Sequence, residues 1–310
     1  MSRIDQALKR AAHQGGHSVA DRTAPSLASE PPAHQIDQSA LEGYAAEKRR
    51  AESDVPRERP SAVPGVRKAV HRQIASFAPW LQGKLVVSRD LNPISSEQYR
   101  RLGATLHGLQ GERGVKTLMV SSAVSQEGKT LTVTNLALTL SDSYNRRVLL
   151  IDADLRRPAV HEAFGLSNAT GLADVIRDGA ERLPLIEVSP HLVVLTAGRI
   201  NTVAPMAELT SDRLPSLIKQ VSSHFDWILL DTPPTGVLPD ARLVARVADA
   251  ILFVIGAGVA PYDLVQRAIA ELGDRVIGTV LNRVDERSLI GSDYYRAYCA
   301  APILPDGASR

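Results

Sequence analysis

One cysteine, Cys299, is all that the chain carries, so no internal disulfide can staple it and cohesion must come from burial and hydrogen bonding. That usage fits a reducing compartment. Long apolar runs are missing too. None approaches the roughly 20 residues that a membrane span needs, and Met1–Leu8 is too polar for a secretory leader. The expectation is a cytoplasmic chain. Charge of one sign is also lacking: a formal net charge of +2 in 310 residues gives no global case for nucleic acid, although local basic runs leave an acidic surface open as a partner. No internal repeat is visible. The length suits one α/β domain with an appendage, or two small domains.

Large apolar residues are scarce over the first 85 positions. Gly15-Gly16, Pro25, Pro31-Pro32, Pro56, Pro60 and Pro64 punctuate that stretch, and Glu47-Lys48-Arg49-Arg50 and Arg57-Glu58-Arg59 load it with mixed charge. Such a segment buries too little surface to offset its ordering entropy. It reads as a largely disordered linker, with a short helix possible over 2–12, capped by Ser2. A basic arm facing acidic lipid or a partner is the alternative. The ordered domain is expected over 86–290, beginning near Leu85-Val86-Val87. A helix follows the Asn92-Pro93-Ile94-Ser95 turn, with Ser95 as its cap and Tyr99, Leu102 and Leu106 as its apolar stripe.

The domain is organised around Ser121-Ser122-Ala123-Val124-Ser125-Gln126-Glu127-Gly128-Lys129-Thr130. In front stands Lys116-Thr117-Leu118-Met119-Val120, an apolar run of the buried-strand type. Behind, Val133, Leu136, Ala137 and Leu140 fall on one helix face. A strand, a tight turn with Gly-Lys-Thr and a helix make a phosphate-binding loop, in which helix N-terminal amides point at the anion. The segment Ser125, Gln126, Glu127, Gly128, Lys129 and Thr130 is its nucleotide-binding part. Lys129 would reach the β and γ phosphates, Thr130 would ligate Mg²⁺, and Gly128 leaves room for the phosphate. Ala123 stands where the first glycine is usual, and Gln126 where another often occurs.

Downstream, continuous apolar strands alternate with helices: Arg147–Ile151, Leu192–Leu195, Trp227–Leu230, Ile251–Ile255 and Val276–Leu281 as strands; Gly171–Arg177, Leu214–Val221 and Leu264–Leu272 as helices. This is an α/β pattern, a mostly parallel sheet covered on both faces. Ligands of such sheets sit beyond the carboxyl ends of the strands. Asp152, Asp154 and Asp231 all follow strands, so they converge on the edge where Lys129 and Thr130 lie. Asp231 has the place of a Walker B carboxylate holding Mg²⁺. Asp152 and Asp154, two apart, point the same way if the strand stays extended; one can support the metal while the other takes a proton from an attacking hydroxyl. Arg156 and Arg157 either steady a transferring phosphate or form a solvated pair.

Leu149-Leu150-Ile151-Asp152-Ala153-Asp154-Leu155-Arg156-Arg157-Pro158, between the phosphate loop and Ile228-Leu229-Leu230-Asp231-Thr232-Pro233-Pro234, closely resembles the bacterial tyrosine autokinases of polysaccharide biosynthesis. These BY-kinases are P-loop NTPases of the deviant-Walker group that also holds the ParA and MinD partitioning ATPases. The resemblance runs from about Asn92 to Asn282. It implies ATP and Mg²⁺ as cofactors, Lys129, Asp152 and Asp154 as catalytic residues, Asp152 as base toward tyrosine and also a metal residue with Thr130 and Asp231, and Asp154 and Asp231 serving metal and water. It places Asn282 at adenine.

The resemblance also implies phosphorylation in trans of a tyrosine-rich tail, here 291–310 with Tyr294, Tyr295 and Tyr298. It implies self-association through a Glu-x-x-Arg-x-x-Arg helix, matched by Glu97 and Arg100 but with Gly103 in place of the second arginine. A membrane adaptor of the polysaccharide chain-length (co-polymerase) type would recruit the chain to the inner face of the plasma membrane. The alternatives are a nucleotide-switched regulatory ATPase of the export machinery, and a partitioning ATPase. Val124, where the latter carry an extra lysine, speaks against partitioning and against a nucleic-acid partner.

Overall fold

The computed structural model describes residues 67–68, 78, 81, 83–87, 93–179, 183–199, 211–236 and 240–284. Their strands, in chain order, are β1 (Arg67–Lys68), β2 (Thr117–Ser122), β3 (Val148–Asp152), β4 (Ile186–Ser189), β5 (Leu192–Leu195), β6 (Trp227–Asp231), β7 (Ala250–Gly256) and β8 (Val276–Asn282). The helices are α1 (Pro93–Arg113), α2 (Lys129–Leu138), α3 (Val160–Ala163), α4 (Leu172–Asp178), α5 (Arg213–Val221), α6 (Asp240–Ala245) and α7 (Tyr262–Leu272). The strands form one sheet in the order β1-β4-β5-β3-β6-β2-β7-β8. All pairings are parallel except β4 with β5.

The continuous apolar runs are explained by position. Strands β2, β3, β6 and β7 are buried along their whole length in the middle of the sheet, and alternate residues feed opposite faces. Met119, Ile151, Leu230 and Phe253 pack with α4, α5, α6 and α7. Leu118, Leu150, Leu229 and Val254 pack with α1, α2 and α3 on the other side. Burying one such side chain stabilises by about 1.5–3 kcal/mol, so the two covered faces hold the central strands in register. Register brings Asp152 opposite Asp231 and Gly256 opposite Asn282.

Leu85-Val86-Val87 forms a turn, held by the Asn135 side chain of α2, which accepts from Val86 N at 2.9 Å and donates to Lys84 O at 2.9 Å. Two local expectations are corrected. Ser95 is not a cap, because α1 already begins at Pro93, where a residue without N–H costs no helix bond. The chain does not stay extended past Asp152; it turns at once, and the Asp152 and Asp154 side chains receive amides from that turn. The possible helix at 2–12 and the tyrosines 294, 295 and 298 lie outside the described residues.

Candidate nucleotide site

Strand β2 delivers the chain to the sheet edge at Ser122, and the loop to Lys129 is tied from several sides. Gln126 (φ 65°) and Gly128 (φ 98°) both adopt left-handed backbone, which turns the loop back onto the start of α2. The unusual Gln126 therefore occupies a position whose conformation favours glycine. Ser125 and Gln126 are exposed, whereas Glu127 is fully buried. Its carboxylate accepts from Val124 N at 2.8 Å and from Gly256 N at 3.1 Å. The Glu127 side chain is thus an internal strut, tying the loop to the end of β7.

The segment after β6 runs beside the loop. Thr232 Oγ1 donates to Val120 O, Thr235 N to Ser122 O, and Gly236 N to Ala123 O. This sets Asp231 against the first turn of α2, where Thr130 Oγ1 donates to Asp231 Oδ2 at 2.6 Å. Asp231 Oδ1 is buried with no hydrogen-bond partner. Burial pushes the Asp231 carboxyl up to about 7, against the pull of the Thr130 hydrogen bond and the Lys129 charge. A sealed carboxylate oxygen without a donor, beside a threonine hydroxyl, is the donor set a divalent cation completes. Among the described residues no three acids or histidines gather as a protein-only metal cage. One carboxylate and one hydroxyl fit Mg²⁺, which is usually held by one or two protein ligands together with substrate phosphates and water.

Asp152 is sealed as well. Its Oδ2 accepts from Ala159 N at 3.1 Å and Val160 N at 3.0 Å, and its Oδ1 from Asp154 N at 3.3 Å. Burial raises its carboxyl well above the usual range and the Asp231 charge adds to this, while the two amides pull it back. Asp154 is partly exposed and accepts on Oδ1 from Arg156 N and Arg157 N. Arg156 is not a free phosphate ligand: its guanidinium is bidentate on Asp240, the buried first residue of α6. Sequence reasoning passed over Asp240, although Pro239-Asp240 ahead of an apolar run is a helix-start signal.

Lys129 heads α2 and is largely buried. Asn282, at the end of β8, lies against the phosphate loop, donating from Nδ2 to Glu127 O at 2.9 Å. Glu97 and Arg100 sit apart on α1, where Glu97 pairs with Arg100 at 3.7 Å and with Arg101 at 3.5 Å. Tyr144 explains Gly103. Its hydroxyl donates to Arg100 O at 2.8 Å, and its ring lies where a Cβ on Gly103 would be 2.9 Å from Cε2.

A strand-end carboxylate on a threonine that opens a helix, with a lysine beside it, defines a P-loop nucleotide-binding protein, and residues 118–305 match the CobQ/CobB/MinD/ParA nucleotide binding domain. Tyrosine-protein kinase YwqD of Bacillus subtilis is 32% identical over 207 residues, 65% of this chain and 86% of that protein. Putative tyrosine-protein kinase CapB of Staphylococcus aureus is 30% identical over 66% of this chain and 90% of its own length. The solved kinase domain of Escherichia coli tyrosine kinase ETK superposes with a TM-score of 0.59 at 30% identity, covering 63% of this chain and 78% of that domain. The chain belongs to the bacterial tyrosine-protein kinases of the CobQ/CobB/MinD/ParA nucleotide-binding family.

Proposed function

We propose that the chain is an ATP-dependent protein-tyrosine autokinase of polysaccharide export. The observation that carries this reading is the meeting, at one sheet edge, of Lys129, Thr130 and Asp231 with the second acidic pair Asp152 and Asp154. Loop amides from Ser125 to Thr130 and the Lys129 ammonium bind the triphosphate; Thr130 and Asp231 hold Mg²⁺. Bound with the nucleotide, Mg²⁺ neutralises charge on the transferring phosphate.

A tyrosine hydroxyl then attacks the γ phosphorus. Its O–P bond forms as the bond to the ADP oxygen breaks, and its proton passes to a carboxylate. The lack of exposed surface at Asp152 supports reading it as the residue that shapes the turn, with the partly exposed Asp154 as the proton acceptor in place of the Asp152 that the resemblance implies. The acceptors are Tyr294, Tyr295 and Tyr298 of a second copy, and Glu97 and Arg100 contribute to the contact between copies. A separate membrane adaptor of the co-polymerase type recruits the chain to the inner face of the plasma membrane.

Incubating the full chain with labelled ATP and Mg²⁺, with and without a co-polymerase adaptor, and mapping phosphate by mass spectrometry tests this. Label on the three tyrosines, lost when all are changed to Phe, is expected. ATP turnover without protein-bound phosphate would favour the regulatory ATPase instead.

A further inference from the structure

The loop that receives the triphosphate is held from behind by the ends of two strands. At the end of β7, Gly256 N donates to the Glu127 carboxylate, which also accepts from Val124 N. One strand further out, Ala257 N donates to Asn282 O, so the end of β8 is fixed to the same corner. The Asn282 side chain then points back at the loop. Its Nδ2 donates to Glu127 O at 2.9 Å, and its Oδ1 accepts from Arg283 N at 2.9 Å. Arg283 has φ 58°, a left-handed conformation that costs a residue with a Cβ about 1–2 kcal/mol.

Gly128 completes the arrangement. A Cβ there would lie 1.9 Å from Asn282 Nδ2. The glycine next to Lys129 therefore makes room for the asparagine as well as for a phosphate. The loop carbonyl before Gly128 and the left-handed turn at Gly128 are both set by one amide, and Lys129 and Thr130 follow directly.

We propose that Asn282 is a positioning residue of the phosphate loop, acting on any triphosphate through the Glu127–Gly128 backbone rather than on the nucleobase. This rests on the reading of residues 125–130 as the nucleotide site. Discrimination between purines then does not depend on Asn282. The position is sensitive to loss of the amide donor, whatever base the ligand carries.

The test compares the full-length wild type with Asn282→Ala, Asn282→Asp and Lys129→Met. Dissociation constants are measured for ATP, GTP and inorganic tripolyphosphate with Mg²⁺, beside hydrogen exchange of the loop amides in ligand-free protein. For Asn282→Ala we expect about five- to tenfold weaker binding of all three ligands, the scale of one net hydrogen bond. Faster exchange over 124–130 should accompany it, with unchanged exchange in β2 and β6. Asn282→Asp keeps the acceptor for Arg283 N but sets an oxygen against Glu127 O, so it should lose at least as much. It serves as the second variant should Asn282→Ala not fold.

Loss confined to ATP would overturn the proposal in favour of a base contact, and wild-type affinities in both variants would also overturn it. If Lys129→Met binds as wild type, the nucleotide reading itself fails. Exchange then decides the strut alone, and unchanged loop protection would defeat it.

Discussion

Thr130 Oγ1 reaches Asp231 Oδ2 across 2.6 Å and joins the first turn of α2 to the end of β6. The hydroxyl can keep this hydrogen bond while its lone pairs face a cation, so the pair is arranged before any ligand arrives. Only Asp231 Oδ1 is left wanting, sealed from water and without a donor.

That imbalance gives a pH dependence with a definite sign. Asp231 is raised to about 7 and Asp152 lies well above its ordinary value, so the native state holds protons that the unfolded chain has released. The associated stability is present below the ordinary carboxylate range near 4 and is lost as pH rises through about 7. The metal-free protein should melt at lower temperature at pH 8 than at pH 5.5. Added Mg²⁺ and nucleotide should stabilise more at pH 8, where they do not compete with a proton. Calorimetric melts at both pH values check this; a flat or opposite trend would contradict the assignment.

Exposure separates the two acids after β3. Asp154→Asn should lower phosphotransfer by about 10²–10⁴-fold, the usual contribution of a general base, with nucleotide affinity within a few fold of wild type. Asp152→Ala should instead cost about 1–3 kcal/mol of stability, because the amides of Ala159 and Val160 lose a buried acceptor. Single-turnover kinetics beside urea unfolding will distinguish the two patterns.

Arg156 and Asp240 tie the turn after β3 to α6. A double-mutant cycle with Arg156→Ala and Asp240→Ala should give a coupling of about 1 kcal/mol, toward the low end of contacting pairs because the Arg156 side chain is 36% exposed. Asp240→Ala alone should be the more damaging single change, since Asp240 is nearly covered. Zero coupling in unfolding experiments would make the contact incidental.

Gly103 is where the ring of Tyr144 rests. Gly103→Arg restores the family pattern and gains up to about 1 kcal/mol of helix propensity, but it must displace that ring, for which overpacking costs about 1–3 kcal/mol. The variant should melt below wild type, and Tyr144→Ala in the same chain should recover much of the loss. Sedimentation of the double variant also reports whether a second arginine on α1 promotes assembly.

Sequence reading recovered the elements whose signal is local and strong. Buried strands such as Trp227–Asp231 need continuous apolar residues, and α2 needs its apolar face; both are written in a few consecutive letters. The carboxylates after the strands were legible because parallel topology sends strand ends to one edge. Strand β4, with Ile186, Glu187, Val188 and Ser189, was missed because its half-buried position leaves no apolar run. The buried strut made by the Glu127 side chain is not legible locally, because it depends on Gly256, 129 residues away in the chain. The partners of Asp240 and Tyr144 escape the sequence for the same reason, being set by tertiary approach and not by spacing, although the helix start at Asp240 is itself signalled.

The Asn135 amide has a practical consequence for shortening the chain. Composition suggests cutting ahead of residue 86, but Leu81 and Leu85 are inserted in the same apolar layer as α2, and Lys84 O occupies the Asn135 donor. A fragment that starts at residue 86 would open a hole behind the helix that carries Lys129 and leave a buried amide half satisfied. Each leucine removed from such a layer costs about 2–5 kcal/mol. The smallest fragment that keeps its nucleotide affinity should therefore begin upstream of Leu81, and limited proteolysis should spare the Leu81–Val87 stretch in the product that survives.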